Sequence, residues 1–75
     1  MLITLYTGPA CSICDKALAM LRTLRPTPSV ETVNVRTDSD LYHRYGARIP
    51  VIMRSDTQQE LGWPFDQQML KRFIE

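Results

Sequence analysis

The sequence predicts an α/β domain with the element order βαβαββα. Runs rich in β-branched residues alternate with stretches whose apolar side chains recur at the three- and four-residue spacing of a helix. The first helical stretch joins two strand-like runs, and a strand–helix–strand unit normally places its strands parallel with a right-handed crossover. The 75 residues suffice for a single small domain, spanning 1–75.

The first strand and first helix are the clearest elements. Met1–Tyr6 is short and apolar apart from Thr4, which predicts a buried strand. Gly8 and Pro9 then break the strand, because glycine frees the backbone and proline restricts it. A helix is predicted from Cys11 to about Leu24, with the apolar stripe Ala17, Leu18, Leu21 and Leu24.

The middle of the chain predicts a second strand and a short helix. Val30–Val35 is rich in β-branched residues and is predicted as a strand. The polar cluster Thr37–Asp40 can cap a helix over about Ser39–Tyr45, which Gly46 ends as a C-cap. His43 is expected on the solvent side of this helix.

The last third of the chain predicts a hairpin and a closing helix. Arg48–Met53 is a third strand that carries a proline near its start, and Arg54–Thr57 is a polar turn. Gln58–Leu61 is predicted as a weak edge strand paired with the third. Asp66 caps a final helix, Gln67–Glu75. Its apolar face consists of Met69, Leu70, Phe73 and Ile74.

The only two cysteines, Cys11 and Cys14, lie where the first strand gives way to the first helix. Helical positions i and i+3 share one face, so the sulfurs can meet, with Cα atoms about 5–6 Å apart. The first turn of a helix has unpaired N–H groups and a partial positive charge, which stabilise a thiolate, the attacking species in disulfide exchange. We therefore predict a redox-active Cys11–Cys14 pair, with Cys11 as the nucleophile and Cys14 as the resolving thiol.

The two cysteines have two alternative uses. A closed structural zinc site needs four ligands, and the chain has no third cysteine and a single histidine, His43. An all-Cys/His site within one chain is therefore excluded, whereas a metal bridging two chains stays open. A purely structural disulfide would close so short a loop that it would stabilise the fold by only about 2 kcal/mol.

Composition and charge indicate which kinds of partner and which cellular compartment to expect. Nine basic and eight acidic side chains leave a formal charge of +1, which predicts neither nucleic acid nor an anionic membrane as a partner. No apolar run approaches the ~20 residues needed to span a bilayer. We see no signal peptide and expect a cytoplasmic protein, a setting in which a Cys-x-x-Cys is catalytic rather than structural.

The sequence resembles the glutaredoxin-like branch of the thioredoxin-fold superfamily. The matching pieces are the N-terminal strand, Cys11–Cys14 opening a helix, and Ile49–Val51 beginning a strand. The resemblance implies a thioredoxin-like, three-layer α/β/α sandwich with a four-stranded mixed sheet and three helices. It also implies that the Ile49–Pro50 bond is cis and lies against the cysteines. The backbone of Ile49 would then pair with an extended substrate, and Arg48 belongs to the same binding segment.

Several positions depart from the resemblance. Glutaredoxins that use glutathione usually have a lysine where Gly8 stands and an aromatic residue where Ile13 stands. Losing the lysine removes a charge-assisted contact to a carboxylate of glutathione. Gly62 and Asp66 would partly replace the Gly-Gly pair and acidic residue that these proteins carry before the last helix. Gly62 and Asp66 are therefore predicted to bind substrate.

Two positions at which related redoxins have aromatic residues bear on which reductant the protein uses. Thioredoxins have a tryptophan immediately before the first cysteine, where this chain has Ala10. The Trp63–Phe65 neighbourhood is similar to that of redoxins which thioredoxin reductase reduces. The alternative for Trp63 is a core position beside the closing helix, since burial is the usual role of a tryptophan.

The motif and the resemblance predict a thiol–disulfide oxidoreductase that contributes to cell redox homeostasis. It needs no organic cofactor or metal, because the two sulfurs store the electrons, and glutathione is a possible co-substrate. The expected partners are a disulfide-bearing protein or glutathione, with a flavin reductase as electron source, and we expect a monomer. Two alternatives stay open. One is a dimeric module that holds a metal or iron–sulfur cluster, and the other is a redox-silent adaptor.

Overall fold

Helices and strands follow one another in the order that the sequence predicts. The computed structural model describes residues 1–75, with a short 3-10 turn at Val35–Thr37. The seven remaining elements are β1 (Leu2–Thr7), α1 (Ser12–Arg22), β2 (Ser29–Asn34), α2 (Ser39–Tyr45), β3 (Val51–Arg54), β4 (Glu60–Gly62) and α3 (Gln67–Ile74). None of the helices is long and apolar enough to cross a lipid bilayer.

The strands form a single mixed sheet, which confirms the four-stranded sheet that the resemblance implies. Its order is β2-β1-β3-β4, with β1 parallel to β2 and antiparallel to β3. β3 and β4 form an antiparallel hairpin at the edge. Tyr6 near the end of β1 pairs with Val51 at the start of β3. The chain that leads into Cys11 and the chain that contains Pro50 therefore meet at the same end of the sheet.

Both faces of the sheet are covered, because successive side chains of a strand point to opposite faces. On one side, β1 and β3 pack against α1 and α3 through Ile3, Leu5, Ala17, Leu21, Leu24, Ile52, Phe65 and Leu70. On the other side, a smaller cluster that includes a side chain of α2 comprises Tyr6, Val35, Tyr45 and Val51. The fold is thus a sandwich of helices, sheet and helix.

Two predicted strands begin two or three residues too early. β3 begins at Val51 rather than Arg48, because Pro50 has no N–H to donate to a neighbouring strand. β4 begins at Glu60 rather than Gln58. Gln58 has a left-handed φ of 61° and donates its N–H to the carbonyl of Arg54, so it belongs to the turn.

Three predicted elements extend one or two residues too far. The second strand ends at Asn34, whose side chain accepts the N–H of Arg36 at 2.9 Å and starts the 3-10 turn at Val35. α1 ends at Arg22 rather than Leu24, although Leu24 is still buried. α3 ends one residue earlier than predicted.

Gly46 ends α2 as predicted, although not through a left-handed backbone. Its φ is −53°, which any residue adopts. A Cβ at this position would lie 2.6 Å from the carbonyl oxygen of Tyr42. Close approach to the preceding turn is therefore what favours glycine here.

Asp66 caps α3, so its replacement tests the start of this helix. Its Oδ1 accepts a hydrogen bond from the N–H of Met69 at 2.8 Å. We expect Asp66→Ala to lower the free energy of unfolding by about 1 kcal/mol, whereas Asp66→Asn keeps a capping oxygen and loses much less. Urea unfolding measures both variants. An alanine variant as stable as the unmodified domain would contradict the capping role.

Candidate active site

Cys11 and Cys14 form a disulfide at the N-terminus of α1. Their Cα atoms lie 5.2 Å apart, inside the range of about 4.4–6.8 Å that disulfides occupy. Cys11 is the N-cap residue and Cys14 lies in the first turn. The strand, the turn and the helix thus bring the two sulfurs together at the place where the sequence predicts them.

The two cysteines differ in accessibility and in hydrogen bonding. Cys14 is buried, with 2% of its surface exposed, whereas Cys11 is half-buried. The Sγ of Cys11 accepts a hydrogen bond from the backbone N–H of Cys14 at 3.1 Å. Cys11 is therefore the sulfur that a partner can reach, and a helix N–H already points at it. Negative charge on this sulfur would be stabilised by that N–H and by the helix dipole.

The turn before Cys11 contains a feature that the sequence does not reveal. Ala10 has a φ of 54°, in the left-handed region, where an alanine costs about 1–2 kcal/mol relative to a glycine. Such backbone strain is common at functional sites, where the surrounding structure maintains it. Alanine has no marked turn preference, so its identity gives no signal for this conformation.

The segment before β3 lies against this turn. A Cβ at Gly8 would lie 2.9 Å from Cδ1 of Ile49, so a larger residue at this position would require the tip of the Ile49 side chain to move. The Ile49–Pro50 bond is cis, as the resemblance implies. Pro50 is buried, and its carbonyl accepts the N–H of Trp63 at 3.1 Å. Two other bonds, Arg25–Pro26 and Trp63–Pro64, are also cis, and the sequence does not predict either.

Ile49 itself has an unpaired backbone. It lies outside α2 and β3, and neither its N–H nor its C=O makes a hydrogen bond within the chain. The side chain of Ile49 is half-buried. Its backbone therefore offers one donor and one acceptor beside the turn that leads into Cys11.

The other residues predicted to bind substrate are placed differently. Arg48 precedes Ile49, and its side chain is 56% exposed. Gly62 pairs with Val51 in the β3–β4 hairpin, and a Cβ there would meet open space. The carboxylate of Asp66 accepts a hydrogen bond from the N–H of Met69 and from no other group of the chain. Arg48 and Gly62 thus adjoin the Pro50 segment, while Asp66 has a structural partner.

Arg48 and three residues near it form what we call the tyrosine cluster, which consists of Tyr6, Tyr45, Arg48 and Glu60. The rings of Tyr6 and Tyr45 are stacked with centroids 4.1 Å apart. The hydroxyl of Tyr45 donates a hydrogen bond to the carboxylate of Glu60. That bond, together with burial, raises the pKa of Tyr45 to about 12, so the phenol remains a donor at neutral pH. The guanidinium of Arg48 lies 5.7 Å from the centroid of the Tyr45 ring.

The sequence does not predict the tyrosine cluster. Tyr45 lies at the end of the predicted helix Ser39–Tyr45, and Glu60 lies on the predicted edge strand Gln58–Leu61. The two are 15 residues apart and meet only through the sheet. A cavity of about 250 Å³ opens on the cluster and is lined by Arg44, Tyr45, Arg48 and Glu60. No local pattern signals this contact, since it depends on how β4 pairs.

Two charged side chains of α1, the single histidine and Trp63 complete the description of these elements. Asp15 and Lys16, of opposite charge, are both exposed in the first turns of α1. His43 is exposed, on the solvent side of α2 as predicted. Trp63 is half-buried and packs against the larger core cluster. Its ring meets that of Phe65 edge to face, with the ring centroids 5.0 Å apart. No three His, Cys, Asp or Glu side chains of the chain converge as metal ligands.

Comparison with known proteins decides the family. The model of the glutaredoxin-like domain family (DUF836) matches residues 2–75. This chain belongs to the glutaredoxin-like family. Target protein XcR50 from X. campestris has a crystal structure similar to this glutaredoxin-like domain, with 33% identity and a TM-score of 0.87 over 96% of this chain and 93% of that one. The solution structure of the same target gives 35% identity and a TM-score of 0.83 over 99% and 92%.

A more distant neighbour fixes the fold of the glutaredoxin-like domain. Thioredoxin 1 from the thermophilic eubacterium Thermosipho africanus superposes with a TM-score of 0.72 at 16% identity, covering 99% of this chain and 90% of that one. At that identity the likeness shows the thioredoxin fold alone. No curated protein matches the sequence. The fold, together with a cysteine pair at disulfide distance, supports redox activity for the domain.

Proposed function

We propose that the glutaredoxin-like domain is a thiol–disulfide oxidoreductase, with Cys11 as the nucleophile and Cys14 as the resolving thiol. One observation supports this most directly. The two sulfurs are bonded at the start of α1, with Cys11 accessible and Cys14 buried. A reactive cysteine needs access to its partner and stabilisation of its thiolate, and the start of a helix supplies both. A structural disulfide needs neither.

The proposed reaction has two exchange steps. The Cys11 thiolate attacks one sulfur of a substrate disulfide, forming a mixed disulfide and releasing the other substrate sulfur, which takes up a proton. Cys14 then loses its proton and attacks the sulfur of Cys11, which restores the Cys11–Cys14 bond and releases the second substrate thiol. Counting the proton that Cys11 gives up when it ionises, the domain loses two electrons and two protons, and the two substrate thiols gain them. A dithiol reductant reverses the change, so no organic cofactor is required.

The segment around Pro50 is the proposed docking site. An extended chain could add to the backbone of Ile49, whose N–H and C=O have no partner, as in recognition by strand addition. Arg48 and Gly62 would border this chain. We call residues 46–50 the docking segment.

A disulfide-bearing protein is the substrate that these observations favour. Gly8 offers no cation to a carboxylate of glutathione, and the carboxylate of Asp66 already caps α3. Strand addition at Ile49 suits an extended polypeptide. Glutathione remains in the proposal as a co-substrate, and a flavin reductase such as thioredoxin reductase as the electron source.

A coupled assay separates these electron sources. Insulin serves as the disulfide substrate, and NADPH consumption is followed once with thioredoxin reductase and once with glutathione and its reductase. We expect turnover that depends on Cys11, with thioredoxin reductase as the more effective source. Faster turnover in the glutathione arm would overturn the assignment of the reductant. Failure to reduce insulin even with dithiothreitol would overturn the proposed function.

A further inference from the structure

The tyrosine cluster joins three parts of the chain that surround the docking segment. Tyr6 lies near the end of β1, Tyr45 ends α2, and Glu60 begins the edge strand β4. The two rings stack, and one carboxylate binds both the hydroxyl of Tyr45 and the guanidinium of Arg48. Glu60 therefore fixes two points on the same short stretch, Tyr45 just before the docking segment and Arg48 within it.

The docking segment is held at its other end by the same edge of the sheet. The carbonyl of Pro50 accepts the N–H of Trp63, the residue that follows β4. Between this bond and Arg48 lies Ile49, whose backbone has no partner of its own. The position of the Ile49 backbone is therefore set by contacts on either side of it. On the N-terminal side, the Arg48 N–H donates to the carbonyl of Tyr45 at 2.7 Å, and Glu60 adds side-chain contacts to both of these residues.

We propose that Glu60 is a positioning residue for substrate docking. By holding Tyr45 and Arg48, it keeps the backbone of Ile49 where an extended substrate can pair with it. This inference rests on the proposed function. Glu60 makes no contact with either sulfur, so it acts on the binding of an extended substrate and leaves thiol chemistry unchanged.

The two contacts of Glu60 are unequal. The pair with Arg48 spans 3.9 Å and its side chains are 56% and 32% exposed, so solvent screens most of this attraction. The bond from Tyr45 is part-buried and joins a hydroxyl to a charged acceptor, which makes it the stronger contact. Tyr45→Phe should therefore reproduce most of the effect of Glu60→Ala. Glu60→Gln keeps an acceptor for the phenol and should largely restore function.

The test compares two disulfide substrates, each reduced by the domain with dithiothreitol as electron source. Insulin presents an extended chain, and bis(2-hydroxyethyl) disulfide presents none. We expect Glu60→Ala and Tyr45→Phe to raise the KM for insulin about tenfold, the factor that corresponds to ~1.4 kcal/mol of lost binding. We expect less than about a twofold change for Glu60→Gln, and unchanged rates for all three variants with the small disulfide.

The matched control is Glu31→Ala, which removes an exposed glutamate from β2, the opposite edge strand of the sheet. It should behave as the unmodified domain with both substrates. Equal losses with both disulfides, or an unchanged KM for insulin in Tyr45→Phe, would overturn the positioning role. If Glu60→Ala fails to fold, as judged by thermal unfolding, the KM values of Tyr45→Phe and Glu60→Gln for insulin test the positioning role instead. An unmodified domain that reduces neither disulfide would instead overturn the proposed function.

Discussion

Cys11→Ser should abolish disulfide exchange, lowering the rate with every disulfide substrate by roughly a thousandfold or more. A serine hydroxyl does not ionise near neutral pH and cannot form a mixed disulfide, so the first step has no nucleophile. Reduction of insulin by dithiothreitol with and without the variant measures the loss. Residual activity within tenfold of the unmodified domain would show that Cys14 or another group attacks the substrate.

Cys14→Ser should separate the two steps of the reaction. The accessible Cys11 still attacks, but no thiol remains to release the product. When the reduced variant is mixed with insulin after dithiothreitol has been removed, we expect a stable adduct between the variant and one substrate chain, visible as an increase in mass. In the assay with thioredoxin reductase we expect loss of turnover with insulin. Retained removal of glutathione from a mixed disulfide would instead indicate a one-thiol glutathione route.

Ala19→Ser is the matched control for both cysteine variants. It places a serine at an exposed position of the same helix, away from the sulfurs. Its activity should equal that of the unmodified domain. Equal thermal unfolding of all three variants in reductant would show that the losses are chemical rather than structural.

Leu21→Ala should destabilise the domain by about 2–5 kcal/mol, the cost of removing a large side chain from a packed core. Leu21 is fully buried in the larger core cluster and shares one face of α1 with Ala17 and Cys14. A domain of 75 residues has only about 4–11 kcal/mol of stability in total at the usual value per residue. This single change therefore removes a large share of it.

Urea unfolding of the reduced domain measures this effect. The matched control is Leu2→Ala, because Leu2 is the same residue type with 39% of its surface exposed. We expect Leu2→Ala to change the free energy of unfolding by less than about 1 kcal/mol. Equal losses in the two variants would contradict the assignment of Leu21 to the core that holds α1 against the sheet.

The local parts of the fold and the cysteine pair could be predicted from the sequence. The apolar stripe of α1 and the capping residues Asp38 and Asp66 act within a few positions of the helix that they define, so their signals lie in the sequence nearby. The same holds for Cys11 and Cys14, whose meeting requires only the start of a helix.

Features that depend on distant parts of the chain could not be predicted. Glu60 meets Tyr45 only after β4 pairs with β3, and no residue nearby in the sequence signals that contact. The left-handed backbone of Ala10 is imposed by its surroundings rather than by its own preference. The isomer of an X–Pro bond is not set by sequence either, since the two forms differ by only about 0.5–1 kcal/mol. For the Ile49–Pro50 bond, the cis isomer is predicted only from the resemblance to glutaredoxin-like proteins.

A redox titration of the two sulfurs tests the central claim most directly. The domain is equilibrated at increasing ratios of reduced to oxidised dithiothreitol, quenched with acid, alkylated and weighed by mass spectrometry. We predict one two-electron transition, from a monomeric chain with neither cysteine alkylated to a chain with both alkylated. A chain alkylated at both cysteines under every ratio, or one that forms only intermolecular disulfides, would contradict it.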